Sequence, residues 1–300
     1  MRNLLVIVVV WSVSAVAAAD EPQTASVLVA KNTKEAAPAE QEHMLRYKFT
    51  EGEVIRWRVT HLGNTETTIQ GNTQTSKHRS VSTKLWRVTK VDEQGNLTFT
   101  HSVNDVEMWQ KMSDRPEVNY NSQTDSEPPP EYASVAKTLG VVLATVTVSA
   151  DGQIVKREGD GPALNLGLGD IIMLLPPKPV KTGSRWYEPS EVHVRGSDNL
   201  VKRIKTRKAY VLEKVETGVA TISVKTEVLT PVQDARMQSQ IVQQLTNGSL
   251  KFDVDAGRLI SKQMDWDENV VGFSGPDSQL KYLARITEEL LTTVPTSVTK

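Results

Sequence analysis

Alternation with a period of two governs this chain. Val54-Ile55-Arg56-Trp57-Arg58-Val59-Thr60 sets Ile55, Trp57 and Val59 on one side, and Leu85 to Val91 alternates around Trp86 and Val88. Successive side chains of an extended strand point to opposite faces, so such runs read as half-buried strands. Further runs cover 97–108, 143–149, 153–158, 190–195, 208–215, 219–229, 249–254 and 258–266, rich in β-branched residues and punctuated by Gly or Asp-Gly. The pattern predicts antiparallel hairpins and a mainly β fold with minor α. Residues 130–139 read as a short helix started by Pro130. Residues 170–175 allow a turn or two, and 231–245 carries a helical stripe through Ala235, Met237, Ile241, Val242 and Leu245.

One hairpin is echoed. Residues 84–100 and 208–224 both open on Lys, place an aromatic third (Trp86, Tyr210) and reach Lys-Val at the strand end (Lys90-Val91, Lys214-Val215). Each then has an acidic turn closed by glycine, Gly95 or Gly218. Arg56-Trp57 precedes the first copy as Arg185-Trp186 precedes the second, and Gly152 downstream is answered by Gly257. The order of these matches predicts two divergent antiparallel curved-sheet modules related by internal duplication. The first spans 45–160 and the second 180–291, with a Gly/Pro-rich crossover over 161–179. One continuous sheet and two separate domains both fit this pattern.

The chain opens with Arg2, an apolar run from Leu4, and Ala17-Ala18-Ala19 before Asp20, the layout of a signal peptide over 1–19. Counted through Ala19 the apolar stretch is 16 residues, short of the roughly 20 of a spanning helix. Retention as an anchor is the alternative; after cleavage no transmembrane segment is expected. Residues 20–44, rich in Ala, Glu, Pro, Gln and Thr, read as a disordered linker, and 292–300 as a loose tail. There is no cysteine. An exported chain without disulfides must rely on its core, which suits the bacterial envelope, in the periplasm or outside the cell. With 35 basic and 36 acidic residues, nothing global attracts nucleic acid or an anionic membrane. The basic run 202–208 reads as a solvated strand guarded against edge pairing.

Chemistry is sparse. His43, His61, His78, His101 and His193 all lie more than four residues apart, so no zinc pair is written in the chain. His61, His78 and His101 would meet only across neighbouring strands. Asp253-Val254-Asp255 lacks the further ligands of a calcium loop, and Asp265 to Asn269 reads as an acidic strand end. The glycines of 159–169 lack the order of a phosphate loop, and Gly272-Phe273-Ser274-Gly275 lacks that of a nucleophile elbow. No catalytic residue, metal ligand or cofactor site is assigned on these grounds. A hydrolase would need a cleft joining distant groups such as His101, Asp265 and Asp267. The most apolar segments, 140–146 and 171–177, read as core or as the lining of a groove. For the groove, Val142, Leu143, Ile172, Met173 and Leu174 are the candidates.

The signal peptide, the Gly-to-Arg-Trp openings at Gly52–Trp57 and Gly183–Trp186, and the repeated strand–acid–Gly–strand hairpins resemble a family of secreted bacterial β-rich proteins without an assigned role. The resemblance covers about residues 45–290. In architecture alone the repeated curved sheet is similar to envelope lipoprotein carriers, whose half-barrel cradles lipid. Neither likeness carries site residues. The expectation is a non-enzymatic envelope protein that binds a lipid, another apolar ligand or a protein partner on a concave sheet; a purely structural envelope module is the alternative.

Overall fold

The computed structural model describes residues 41–159 and 172–291. The expected signal peptide, the expected linker up to residue 40, most of the Gly-rich loop and the expected tail lie outside these residues.

Six strands form the first half: β1 (Val54–Ile69), β2 (Asn72–Val91), β3 (Leu97–Met112), β4 (Val118–Asn121), β5 (Val142–Val148) and β6 (Ile154–Glu158). Six more form the second: β7 (Arg185–Arg195), β8 (Val201–Glu216), β9 (Val219–Val228), β10 (Asn247–Asp253), β11 (Arg258–Val271) and β12 (Ser278–Leu291). All belong to one sheet in the order β6-β5-β3-β2-β1-β12-β11-β10-β9-β8-β7, with β4 paired to β3, and every pairing is antiparallel. Each half is a meander. The two are joined at the centre, where β1 pairs with β12 from Arg56↔Leu291 to Ile69↔Ser278. One continuous sheet is therefore the arrangement.

The expected strands are present, and turn chemistry sets their register. Gln70-Gly71, with φ of 50° and 79°, closes β1 onto β2, and Thr217-Gly218, with 50° and 78°, closes β8 onto β9. Two successive left-handed residues match the twist of a two-residue hairpin. The helix expected over 130–139 is a 3-10 turn (Pro130–Tyr132) leading into α1 (Ala133–Ala136). The stripe in 231–245 is α2 (Ala235–Ile241) followed by another 3-10 turn, its start capped by the Asp234 side chain, which accepts from Arg236 N and Met237 N.

A flat sheet of eleven strands would be about 48 Å wide at some 4.8 Å per step. Yet Trp186 on edge strand β7 donates Nε1 to the Leu174 carbonyl (2.9 Å), while the next amide, Leu175 N, donates to Asp151 O (2.7 Å) between β5 and β6. Two adjacent residues thus connect both margins, so the sheet is curled and nearly closed at this end.

The closed end is plugged. Residues 43–50 run through it as a strap: His43 pairs with Val180, Tyr47 N donates to Ala150 O, and Lys48 N to Gly257 O. Leu45, Tyr47 and Phe49 are buried there. The Tyr47 hydroxyl accepts from Met173 N (3.2 Å) and donates to Met173 O (3.1 Å). Around the plug lies the main core, with Trp57, Trp86, Phe99, Trp186, Tyr210, Leu212, Ile222 and Phe252 from strands of both halves. At the other end, α1 covers β3 and β4 through Val103, Val106, Tyr120, Tyr132 and Val135. On the opposite wall, α2 and its 3-10 turn cover β7–β8 through Met237 and Ile241, and β11–β12 through Val242, Val270 and Tyr282.

Candidate binding site on the inner face

Odd positions of β1 and even positions of β2 face inward, as the buried series Ile55, Trp57, Val59 and Lys84, Trp86, Val88 shows. Beyond the aromatic core this face carries a row of charge. Lys262 on β11 stands opposite Glu288 on β12, with Nζ 2.9 Å from Oε1. Lys84 on β2 reaches the same oxygen across β1 at 3.4 Å. All three are buried. Burial by itself would raise the Glu288 carboxyl; Lys262 and then Lys84 outweigh it, and the carboxyl lies below the usual carboxylate range. Glu288 is therefore ionised at neutral pH.

His101 on β3 extends the row. It stands opposite Trp86, is buried, and keeps a pKa near 4: burial lowers it most, then the charges of Lys84 and Arg157, with Glu288 opposing. Lys84 and His101 each adjoin a register shift, Thr83/Lys84 in the β2–β3 ladder and His101/Ser102 in the β3–β5 ladder. Bulges of this kind re-aim side chains and are common beside functional sites.

Toward the open end the inner face of β1 and β2 is made of small or ring-shaped polar residues: His61, Gly63, Ser76, His78, Ser80 and Ser82. The imidazoles of His61 and His78 meet edge to face with centroids 4.6 Å apart. His61 is held near pH 4 by burial and by His78, and His78 is lowered by burial. A Cβ added at Gly63 would stand inside the His78 ring, so the glycine is what lets the ring lie over the strand. Flanking this floor are Val106 and Met108 on β3 and Ile286, Ala284 and Tyr282 on β12, with Trp266 half-buried on β11. The result is a trough with a small polar floor, apolar sides and a charged inner end.

The five residues expected to line one groove are divided between the two ends. Met173 is buried in the plug, with Ile172 packed against the main core and Leu174 half-buried beside Trp186. Val142 is 55% exposed at the start of β5, and Leu143 packs against the Tyr120–Tyr132 cluster. Val142 and Leu143 differ in burial because neighbours on an extended strand face opposite ways, and Ile172 to Leu174 lie on a separate segment held at the plug. The catalytic trio a hydrolase would need is not assembled either. His101 is on the inner face, whereas Asp265 lies on the outer face in an ion pair with Arg285 (2.5 Å) and Asp267 is exposed. Among the described residues no group of three His, Cys, Asp or Glu side chains could hold a metal ion. His61 and His78 do converge; His101 lies further along β3. In the basic run, Ile204 and Thr206 are buried inward while Arg203 pairs with Glu191 and Arg207 with Glu227. Gly272 to Gly275 form the β11–β12 turn, where Ser278 Oγ accepts from Ser274 N.

No family model matches the chain, and no curated protein does. Among solved structures it is similar to lipovitellin, described through its lipid–protein interactions, with a TM-score of 0.44 and 10% identity. The alignment covers 82% of this chain and 26% of lipovitellin, so the chain spans about a quarter of that protein. No helix among the described residues is long and apolar enough to cross a membrane.

Proposed function

We propose that this is an exported, non-catalytic binding protein of the bacterial cell envelope that holds an apolar or amphiphilic ligand in the trough of its curled sheet. The observation that supports the reading is the inner face between the α1 and α2 walls. There the β1–β2 floor is small and only half-covered, while the flanking strands offer apolar side chains. Such a mix of apolar walls and few polar groups suits a ligand whose chain is sequestered and whose polar end is oriented. Native mass spectrometry of the protein purified from its own envelope fraction, followed by lipid extraction, tests it. A stoichiometric adduct that extracts as an amphiphile is the expected result. A folded protein of bare-chain mass, with no extractable partner, would instead favour a scaffolding module.

A further inference from the structure

We propose that the inner end of the trough is a site for an anionic, oxygen-rich group, a carboxylate or phosphate, built by Trp57, Trp86 and His101 beside Lys84. The inference rests on the ligand-binding reading and specifies the polar end of its ligand.

Five side-chain polar atoms among the described residues are buried without a hydrogen-bond partner, and three of them belong to this one patch: Trp57 Nε1, Trp86 Nε1 and His101 Nε2. The residues are 2%, 6% and 2% exposed. They occupy consecutive strands on the same face. The Trp57 and Trp86 rings lie 5.8 Å apart, Trp86 stands opposite His101, and Trp57 stands opposite Lys84. A buried polar group left unmade forfeits about 1–3 kcal/mol, and folded proteins keep few of them. Three together, at a row of buried charge and beside two bulges, mark a place where partners arrive from outside the chain.

The chemistry of that partner follows from what the atoms offer. An indole N–H only donates. A neutral His101 presents at Nε2 either a proton or a lone pair, according to tautomer. The strongest charges acting on His101 are the cations Lys84 and Arg157. Donors in a positive field call for an acceptor that carries negative charge, and such hydrogen bonds are about twice as strong as neutral ones. Ser80 and Ser82 continue the β2 face toward the open end with little bulk, leaving room for a chain that trails from the bound head over the β1–β2 floor.

Titration calorimetry of the delipidated full chain with dodecanoate, 1-dodecanol, acetate and inorganic phosphate separates the outcomes. Dodecanoate is expected to bind about tenfold or more tighter than 1-dodecanol, the factor of one charge-assisted hydrogen bond. Trp57→Phe and Trp86→Phe, which keep a ring and remove the N–H, should each narrow that ratio by weakening dodecanoate more than 1-dodecanol, because the lost bond is charge-assisted only for the acid. The wild-type ratio needs no variant, so a misfolded variant does not spare the proposal. Equal affinity for acid and alcohol overturns the anionic site and leaves the ligand reading standing. Binding of neither amphiphile and neither small anion overturns both. Acetate or phosphate binding as tightly as dodecanoate supports the site but assigns it to a free anion instead of a lipid head.

Discussion

At the scale of single residues, two contacts make sharp demands. Gly63→Ala should lower stability by about 1–3 kcal/mol, because the new methyl overpacks the His78 ring. In the Gly63→Ala/His78→Ala double variant much of that loss should vanish, a non-additivity that urea unfolding of all four cycle members measures. Glu288→Gln removes the carboxylate that both buried ammoniums face and should cost about 3–5 kcal/mol. Replacing all three at once, Lys84→Met with Glu288→Leu and Lys262→Met, should recover most of it; a triple variant as unstable as Glu288→Gln would sink this account. The row was legible in part. Lys84 shares its parity with Trp86 and Val88, and Glu288 with Ile286 and Leu290, so an inward charge could be read from the period-two pattern. That the two meet could not, because 204 positions separate Lys84 from Glu288 and their proximity depends on β1 lying between β2 and β12.

At the scale of elements, the strap of residues 43–50 is held by few but well-placed bonds. Tyr47→Phe deletes the hydroxyl that bridges Met173 N and Met173 O and should cost about 1–2 kcal/mol. Amide exchange should report it locally: protection at Met173 falls, while that of β12 amides near Tyr282 stays. Equal loss at both sites would mean the strap is not a separate unit. Ten of the twelve described strands were readable because burial on one face imposes alternation, and Gly95 and Gly218 both sit in the turns expected of them, whereas β4 and β12 were not among the expected runs. The strap was hidden for the opposite reason. Leu45, Tyr47 and Phe49 alternate too, but they pair with no long neighbouring strand, and residues up to 44 share the composition of a linker. We further propose that the two meanders descend from one duplicated unit. Trp57 and Trp186 occupy the starts of β1 and β7, and Gly152 and Gly257 the β5–β6 and β10–β11 turns.

At the scale of the whole molecule, one sheet around one main core implies a common response to acid. His61 and His101 are held near pH 4 and His78 is lowered, against about 6.5 in an unfolded chain. A depressed histidine stabilises fully above its unfolded pKa and loses that contribution as pH falls toward its folded value. The unfolded state therefore gains protons first: His101, the most deeply buried, removes up to about 1.4 kcal/mol per pH unit between about 6.5 and 4, while His61 and His78, partly screened by solvent, add smaller losses as pH falls below about 6.5. Glu288, also depressed, adds its own loss once pH falls below about 4.3 and through its folded value. The melting temperature should drop steadily from pH 7 to pH 4.5; a flat profile over that interval would exclude the buried neutral imidazoles. The central β1–β12 ladder carries a mechanical consequence as well. Arg56 and Leu291 are register partners at the plugged end, so tension applied between the two ends of the described chain pulls neighbouring strands apart in the manner of a zipper. Rungs of that ladder fail one after another instead of sharing the load in shear. Its fourteen paired positions thus add length to the rupture but little to the force, and the strap, which must be drawn out of the core first, is the latch.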